Sequence, residues 1–268
     1  MTSAPSKTES SVILSLDGLT VRISGLTALD GVSFNVHSHQ VVSLIGPNGA
    51  GKTTAFNAIS GYMVPTGGQI NLFGKSIVGM RPEEIASLGL IRSFQRTSVF
   101  NECSVFDNLL TALHMQGKCN LLCSLLRTPA FRKEDAWLRQ RTEELLEFVG
   151  LTHRSATLAR NLAYGEQRLL GVGIALAAQP KLLLLDEPAA GLNPSETENF
   201  KKMIRRIANT GVTVLLVEHD MQMVMSISDH IIVLNQGRLI AEGSPSAIQQ
   251  DSEVIRAYLG TGLSHAKA

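Results

Sequence analysis

The chain is poor in cysteine, in aromatic side chains, in charge of one sign and in long apolar runs, and each shortage excludes something. Its three cysteines, Cys103, Cys119 and Cys123, form no C-x-x-C pair, and the odd count excludes a disulfide framework. Unpaired thiols suit a reducing cytosol. Cys119 and Cys123 can share a helix face, but with no companion histidines at ligand spacing the cysteines read as structural rather than metal-binding. Lysine and arginine number 24 against 23 aspartates and glutamates, a formal net charge of +1, so nothing in the balance calls for nucleic acid as a partner. No apolar run approaches the ~18–20 residues that span a bilayer. The run Leu182–Leu185 is cut off by Asp186 and Glu187, so the chain is not expected to cross a membrane by itself. The opening MTSAPSKTESS is small and polar, without the apolar core of a signal peptide. It reads as a loose tail, and the chain is expected to stay in the cytoplasm. The single tryptophan, Trp137, reads as core rather than as a platform for stacking bases.

What is present is the composition of a globular protein, 44% hydrophobic and 18% charged over 268 residues, enough for one or two domains with a sizeable core. From Val12 to Ile45 the pattern is strand-like: Ser33–Val36 alternates, His37–His39 turns, and VVSLI (Val41–Ile45) is a buried strand. TTAFNAIS reads as a helix stopping at Gly61, with Pro65 and Thr66–Gly68 as punctuation. Between residues 95 and 163 the character changes: Trp137, Leu138, Leu145, Leu146 and Val149 recur at helical spacing amid charges, an inserted helical subdomain. Two short apolar strands, LLLL from Leu182 and VTVLLV (Val212–Val217), flank a helix over Ser195–Asn209, a βαβ arrangement that implies a parallel sheet. HIIVLNQGRLIAEG follows as a hairpin turning at Asn235–Gly237, and Ser244 and Pro245 open a further helix. The expected organisation is one domain over residues 12–260, with residues 12–94 and 164–260 as its core, residues 95–163 inserted, and tails at 1–11 and 261–268.

GPNGAGKT, Gly46–Thr53, matches G-x-x-x-x-G-K-[ST] in full and sits between a strand and a helix. Gly46, Gly49 and Gly51 let the backbone curl so that successive N–H groups face a phosphate, with Pro47, Asn48, Ala50 and Thr54 completing the nucleotide-binding stretch. Lys52 reaches the β and γ phosphates, and the Thr53 hydroxyl can ligate Mg²⁺. Such a site needs a further carboxylate for the metal, and Asp186 stands at the end of a buried strand. The adjacent Glu187 can take a proton from an attacking water. His219, at another strand end in LLVEHD, can contact the γ-phosphate or steady that water, and Gln95 in SFQR offers an amide to metal or water.

LAYGEQ, Leu162–Gln167, opens a helical run that is apolar almost all round from Leu169 to Ala178 and is ended by Pro180. Taken alone, Gly165 and Glu166 are ordinary helix-start residues, the acid favoured by the helix dipole. In company they are more. The order GPNGAGKTT, SFQR, LAYGEQ, LLLLDEP, AAGLN and EHD resembles the nucleotide-binding subunits of ATP-binding-cassette (ABC) transporters. The resemblance implies an α/β P-loop NTPase core of RecA type, with an antiparallel β subdomain and an inserted α-helical subdomain. It implies ATP and Mg²⁺ as cofactors, Gln95 as the Q-loop residue, Asp186 at the metal, Glu187 as catalytic base, Ala189–Asn193 as the D-loop and His219 as the switch histidine. It also points the signature residues Ala163, Tyr164, Gly165 and Glu166 at ATP held by the P-loop of a second cassette, which explains the helix start.

Three positions depart from the common L-S-G-G-Q: Ala163 stands for serine, Tyr164 for the first glycine and Glu166 for glutamine. Where the family often stacks an aromatic on adenine, this chain offers Ile23. At finer grain, NLAYGEQR, LDEPAAGLNPSET, EHDMQMVMSISD and EVIRAYLG resemble the ATPases of branched-chain amino acid importers. That likeness implies a related second cassette, two membrane permeases that hold the subunit at the inner face of the membrane, and a substrate-binding protein beyond them. Cassettes serving another solute (urea, lipid or lipopolysaccharide) share much of the pattern. Soluble cassettes of translation or repair carry two P-loops or a long coiled coil, and this chain has one P-loop and no heptad run.

Overall fold

A computed structural model describes residues 11–93, 99–114 and 128–263. In chain order the elements begin with β1 (Val12–Ile23), β2 (Leu26–His37), β3 (Val41–Ile45), α1 (Lys52–Ile59), β4 (Gly67–Leu72), β5 (Lys75–Ser76) and α2 (Pro82–Ser87). Then come β6 (Leu90–Ser93), α3 (Val105–His114), α4 (Pro129–Val149), α5 (Tyr164–Ala177), β7 (Leu182–Asp186) and α6 (Pro194–Asn209). The chain closes with β8 (Thr213–Val217), α7 (Met221–Ile227), β9 (His230–Asn235), β10 (Arg238–Gly243), α8 (Pro245–Gln250) and α9 (Ser252–Leu263). Gln95, Cys119 and Cys123 lie outside the described residues. The chain falls into two compact units, one of residues 1–88 and 204–268, the other of residues 89–203.

In the first unit an antiparallel sheet runs β2-β1-β4-β5, and β10-β9-β3-β8 are neighbours in a second. β1 and β2 are long because their apolar residues alternate: Leu14, Leu16, Leu19 and Val21 on one, Leu29, Val32, Phe34 and Val36 on the other are all buried. β3 is parallel to both β8 and β9 and is buried at all five residues, as its largely apolar sequence requires. Its one polar residue, Ser43, is satisfied by a 2.6 Å hydrogen bond to the hydroxyl of Ser228. β9 and β10 form the expected hairpin, turned by Gln236 and Gly237, both at positive φ. Ser244 caps α8 by accepting from the Ala247 amide, with Pro245 at its first position. The last three helices pack on Ile45, Ile231 and Val233 through Val224, Ile248 and Val254, and Tyr258 of α9 lies against this cluster.

In the second unit β6 and β7 pair in parallel, Leu90 beside Leu182 through Ser93 beside Leu185. Helices α3, α4 and α5 pack through Leu113, Leu138 and Ala177, with Leu110 and Leu145 at the margin. One expectation fails here. Trp137 is not core: its side of α4 faces out, and the residue is 44% exposed. The buried positions are Leu138, Thr142, Leu146 and Val149, a stripe at i, i+4, i+8 and i+11, and Trp137 lies about 100° round the helix from its first member.

Candidate functional site

The glycine-rich turn after β3 is shaped by contacts that only glycine permits. Gly46 has φ +151°, and a Cβ there would fall 2.1 Å from the carbonyl oxygen of Leu234. Gly51, at φ +101°, would meet Leu29 and the Ala28 carbonyl oxygen at 2.7 and 2.8 Å. The turn is therefore pressed between β2 and the end of β9. Two backbone bonds pin it: Gly237 N–H donates to the Ala50 carbonyl at 3.1 Å, and Asp30 N–H to the Gly237 carbonyl at 2.8 Å. Arg238 closes the edge by donating to Asp30 Oδ2 at 2.6 and 2.9 Å. Lys52 is buried, its Nζ donating to the carbonyls of Gly46 and Pro47 at 2.6 and 3.0 Å, so its charge lies along the inside of the turn. The first turn of α1 contains no acid, and its exposed Thr53 and half-buried Thr54 leave the positive end of the helix open to an anion.

In the same unit His219 follows β8, its side chain 61% exposed and its Nδ1 3.9 Å from Glu218 Oε2. The buried Glu218 accepts from the His219 amide, and Asp220 caps α7 by accepting from the amides of Gln222 and Met223. The histidine is thus fixed by backbone on both sides while its ring stays accessible. Ile23 ends β1 at the tip of the β1–β2 hairpin, beside the exposed Leu26.

The second unit holds the acids and the signature. Asp186 ends β7 with its carboxylate 2.7 Å from an Arg92 guanidinium nitrogen, each side chain 8% exposed. Glu187 has φ +44°, a left-handed backbone unusual for a side chain of its size, and its carbonyl accepts from Ala190 at the start of a tight turn. The next bond, Leu192 N–H to the Ala189 carbonyl, keeps residues 187–192 coiled before α6. Asn193 and Glu196 cap α6 reciprocally at 2.9 and 3.0 Å.

α5 begins where the sequence places it. Ala163 has no side-chain oxygen, so half a capping box remains: the Ala163 N–H donates to Glu166 Oε2 at 3.0 Å. Burial would raise the Glu166 carboxyl, but hydrogen bonds from Arg154 and Ala163, with His153 beside them, outweigh it and hold the group below its ordinary 4.5. Gly165 is packed against α6, since a Cβ there would sit 2.7 Å from a Glu196 carboxylate oxygen. Tyr164 lies over the loop, its ring 3.1 Å from where a Gly191 Cβ would be, and Arg168 stacks on the ring at 5.0 Å and bonds its hydroxyl.

Within the first unit, then, Gly46–Thr54, Ile23 and His219 are placed, and within the second Asp186, Glu187 and Ala163–Glu166. Arg92, Glu196 and the Asp30–Gly237–Arg238 brace escaped sequence reasoning. An arginine directly after the apolar pair Leu90–Ile91 was the one signal for Arg92, while the brace joins residues 208 apart and left no signal in any motif.

A family model described as "ABC transporter" matches residues 29–190, and one described as "Branched-chain amino acid ATP-binding cassette transporter" matches residues 238–263. The high-affinity branched-chain amino acid transport ATP-binding protein BraF of Pseudomonas aeruginosa is 48% identical over 249 residues, 92% of this chain and 98% of the relative. The corresponding LivG of Escherichia coli K12 is 46% identical over the same shares. The crystal structure of an ATP-binding cassette of an ABC transporter in its ADP conformation superposes with a TM-score of 0.81 at 30% identity, covering 94% of this chain and 100% of the other.

Proposed function

Since the chain belongs to the ABC transporter ATP-binding family, we propose that it is the ATP-hydrolysing subunit of an importer for branched-chain amino acids. The observation that carries the substrate class is the match of residues 238–263 to the branched-chain module, alongside 46–48% identity to transport subunits of that name.

Gly46–Thr54 bind the triphosphate of ATP through backbone amides and the Lys52 ammonium, while Ile23 gives the base an apolar rather than a stacked contact. Glu187 takes the proton of the attacking water, and the accessible His219 ring orients that water or the γ-phosphate. The Thr53 hydroxyl, the Asp186 carboxylate and the Gln95 amide are the groups that would hold Mg²⁺, which supplies charge neutralisation at the phosphates. These are hard oxygen donors, as that ion requires. Among the described residues no group of three or more His, Cys, Asp or Glu could hold a metal, which suits an ion carried largely by phosphate and water.

Ala163–Glu166 receive the ATP of a second, related cassette. With Ala163 lacking a hydroxyl, that docking relies on the amides at the start of α5. No described helix is long and apolar enough to cross a membrane. Two permease subunits would hold the cassette at the inner face, and a binding protein would deliver solute to them. The test is ATP hydrolysis by the complex reconstituted in liposomes with its co-purifying permeases. Leucine-, isoleucine- or valine-loaded binding protein should stimulate it, and stimulation by an unrelated solute alone would overturn the substrate assignment.

A further inference from the structure

The sequence sets tyrosine at position 164, where the common signature has glycine, and a ring on the first residue of a helix has to lie against something. It lies on the turn that follows β7. A Cβ built on Gly191 would stand 3.1 Å from Tyr164 Cε1, so the ring packs on the Gly191 backbone, which at φ +81° suits a residue with no side chain. One helical turn on, Arg168 holds its guanidinium 5.0 Å from the ring centroid and donates to the phenol oxygen, which keeps the ring in that place. Gly191 lies between two backbone bonds, Ala190 N–H to the Glu187 carbonyl and Leu192 N–H to the Ala189 carbonyl, so whatever fixes it fixes the turn on which Glu187 stands. That turn needs fixing. Glu187 is left-handed at φ +44°, and such a residue persists only where its surroundings over-determine it. Residues 189–193 are half-buried or exposed and belong to neither strand nor helix. The Glu196 cap and its contact with Gly165 hold their far end, and the Tyr164 ring holds their middle.

We propose that Tyr164, steadied by Arg168, is a positioning residue for Glu187: its ring clamps the 187–193 turn to the start of α5, an inference that rests on Glu187 being the base. Tyrosine suits the task because its ring reaches from the helix to the turn while its hydroxyl gives Arg168 an acceptor. A glycine at 164 would leave Gly191 uncovered, yet it would keep the backbone amide through which the ATP of a second cassette would dock. Clamping belongs to the ring and docking to the amide, so the two are separable at this one residue.

The test is ATP hydrolysis by the complex reconstituted with its permeases, beside native-state hydrogen exchange of the full-length subunit. Tyr164→Gly should lower kcat about 10- to 100-fold, the scale of a catalytic group misplaced by about 1 Å, with KM for ATP within about threefold of wild type. Tyr164→Phe keeps the ring and should recover most of the lost rate, while Arg168→Leu, which frees the ring, should fall between the two. In the Glu187→Gln background Tyr164→Gly should cost nothing further, because a base that is gone cannot be misplaced. In the subunit the Ala190 and Leu192 amides should exchange at least about tenfold faster in Tyr164→Gly than in wild type or in Tyr164→Phe. A raised KM with kcat intact, an equal further loss in the Glu187→Gln background, or exchange at the wild-type rate would overturn the proposal and leave Tyr164 as a docking or packing residue. Should Tyr164→Gly fail to fold, Arg168→Leu carries the same readouts, and unchanged kcat and exchange in it would overturn the proposal equally. Normal hydrolysis by Glu187→Gln alone would instead sink the base assignment, and the proposal with it, while the exchange rates still showed whether the turn is clamped.

Discussion

Glu187, proposed above as the catalytic base, sits on a backbone that costs energy, since a left-handed conformation in a non-glycine residue is disfavoured by roughly 1–2 kcal/mol. Selection for stability alone would place glycine there. Glu187→Gln should bind ATP and hydrolyse it at least ~100-fold more slowly, the range for loss of a general base. Glu187→Gly should be as inactive and yet unfold at an equal or higher denaturant concentration than the glutamine variant, because it relieves the strain. Single-turnover hydrolysis and equilibrium denaturation of the two proteins check the pair of outcomes. At Lys52 the charge already lies inside the turn, bonded to the carbonyls of Gly46 and Pro47. Lys52→Ala should weaken nucleotide binding by on the order of 10- to 100-fold, the span of one charged hydrogen bond of about 1.5–3 kcal/mol, as read by calorimetry. Ile23, 43% exposed at a hairpin tip, has room for a ring. Ile23→Tyr should tighten ATP and GTP alike by roughly 1 kcal/mol through base stacking.

Among the elements, α5 and α9 respond to opposite ends of the pH scale. The Glu166 carboxyl that anchors the start of α5 has its pKa lowered in the folded chain, so its contribution is complete above about 4.5 and disappears as pH falls through the folded value. Glu166→Gln should therefore flatten the acid limb of a stability profile and leave the neutral region with a small, constant loss. In α9 burial pushes the Tyr258 phenol up to about 12, partly offset by the Gly46 backbone amide. The unfolded chain releases this proton near 10 and the folded chain does not, so stability falls as pH rises between those values. Tyr258→Phe should remove that alkaline slope, measured by urea midpoints across the range.

For the whole molecule, legibility followed the distance over which each feature is encoded. The P-loop turn, the acid pair at the end of β7 and the start of α5 are local: a few consecutive residues carry the pattern, and the structure places each at the strand end or helix start where the sequence puts it. β3, β7 and β8 were equally plain, because short strands with four apolar residues in five admit few alternatives. Trp137 was misplaced because a stripe of leucines fixes a helix face only to within one residue, and one residue is 100°. Arg92 with Asp186, and Asp30 with Arg238, join residues 94 and 208 positions apart, and no pattern along the chain announces a partner that tertiary pairing chooses.

The misplaced tryptophan has an optical consequence. It is the chain's one indole, it sits half in water on α4, and the P-loop belongs to the other compact unit. Tryptophan emission from this protein is therefore a single-site signal from its helical unit. It should be red-shifted and open to iodide quenching in the free subunit, and absent in Trp137→Phe. Shielding from iodide on addition of permease would then report docking on the outer face of α4, without any label being introduced.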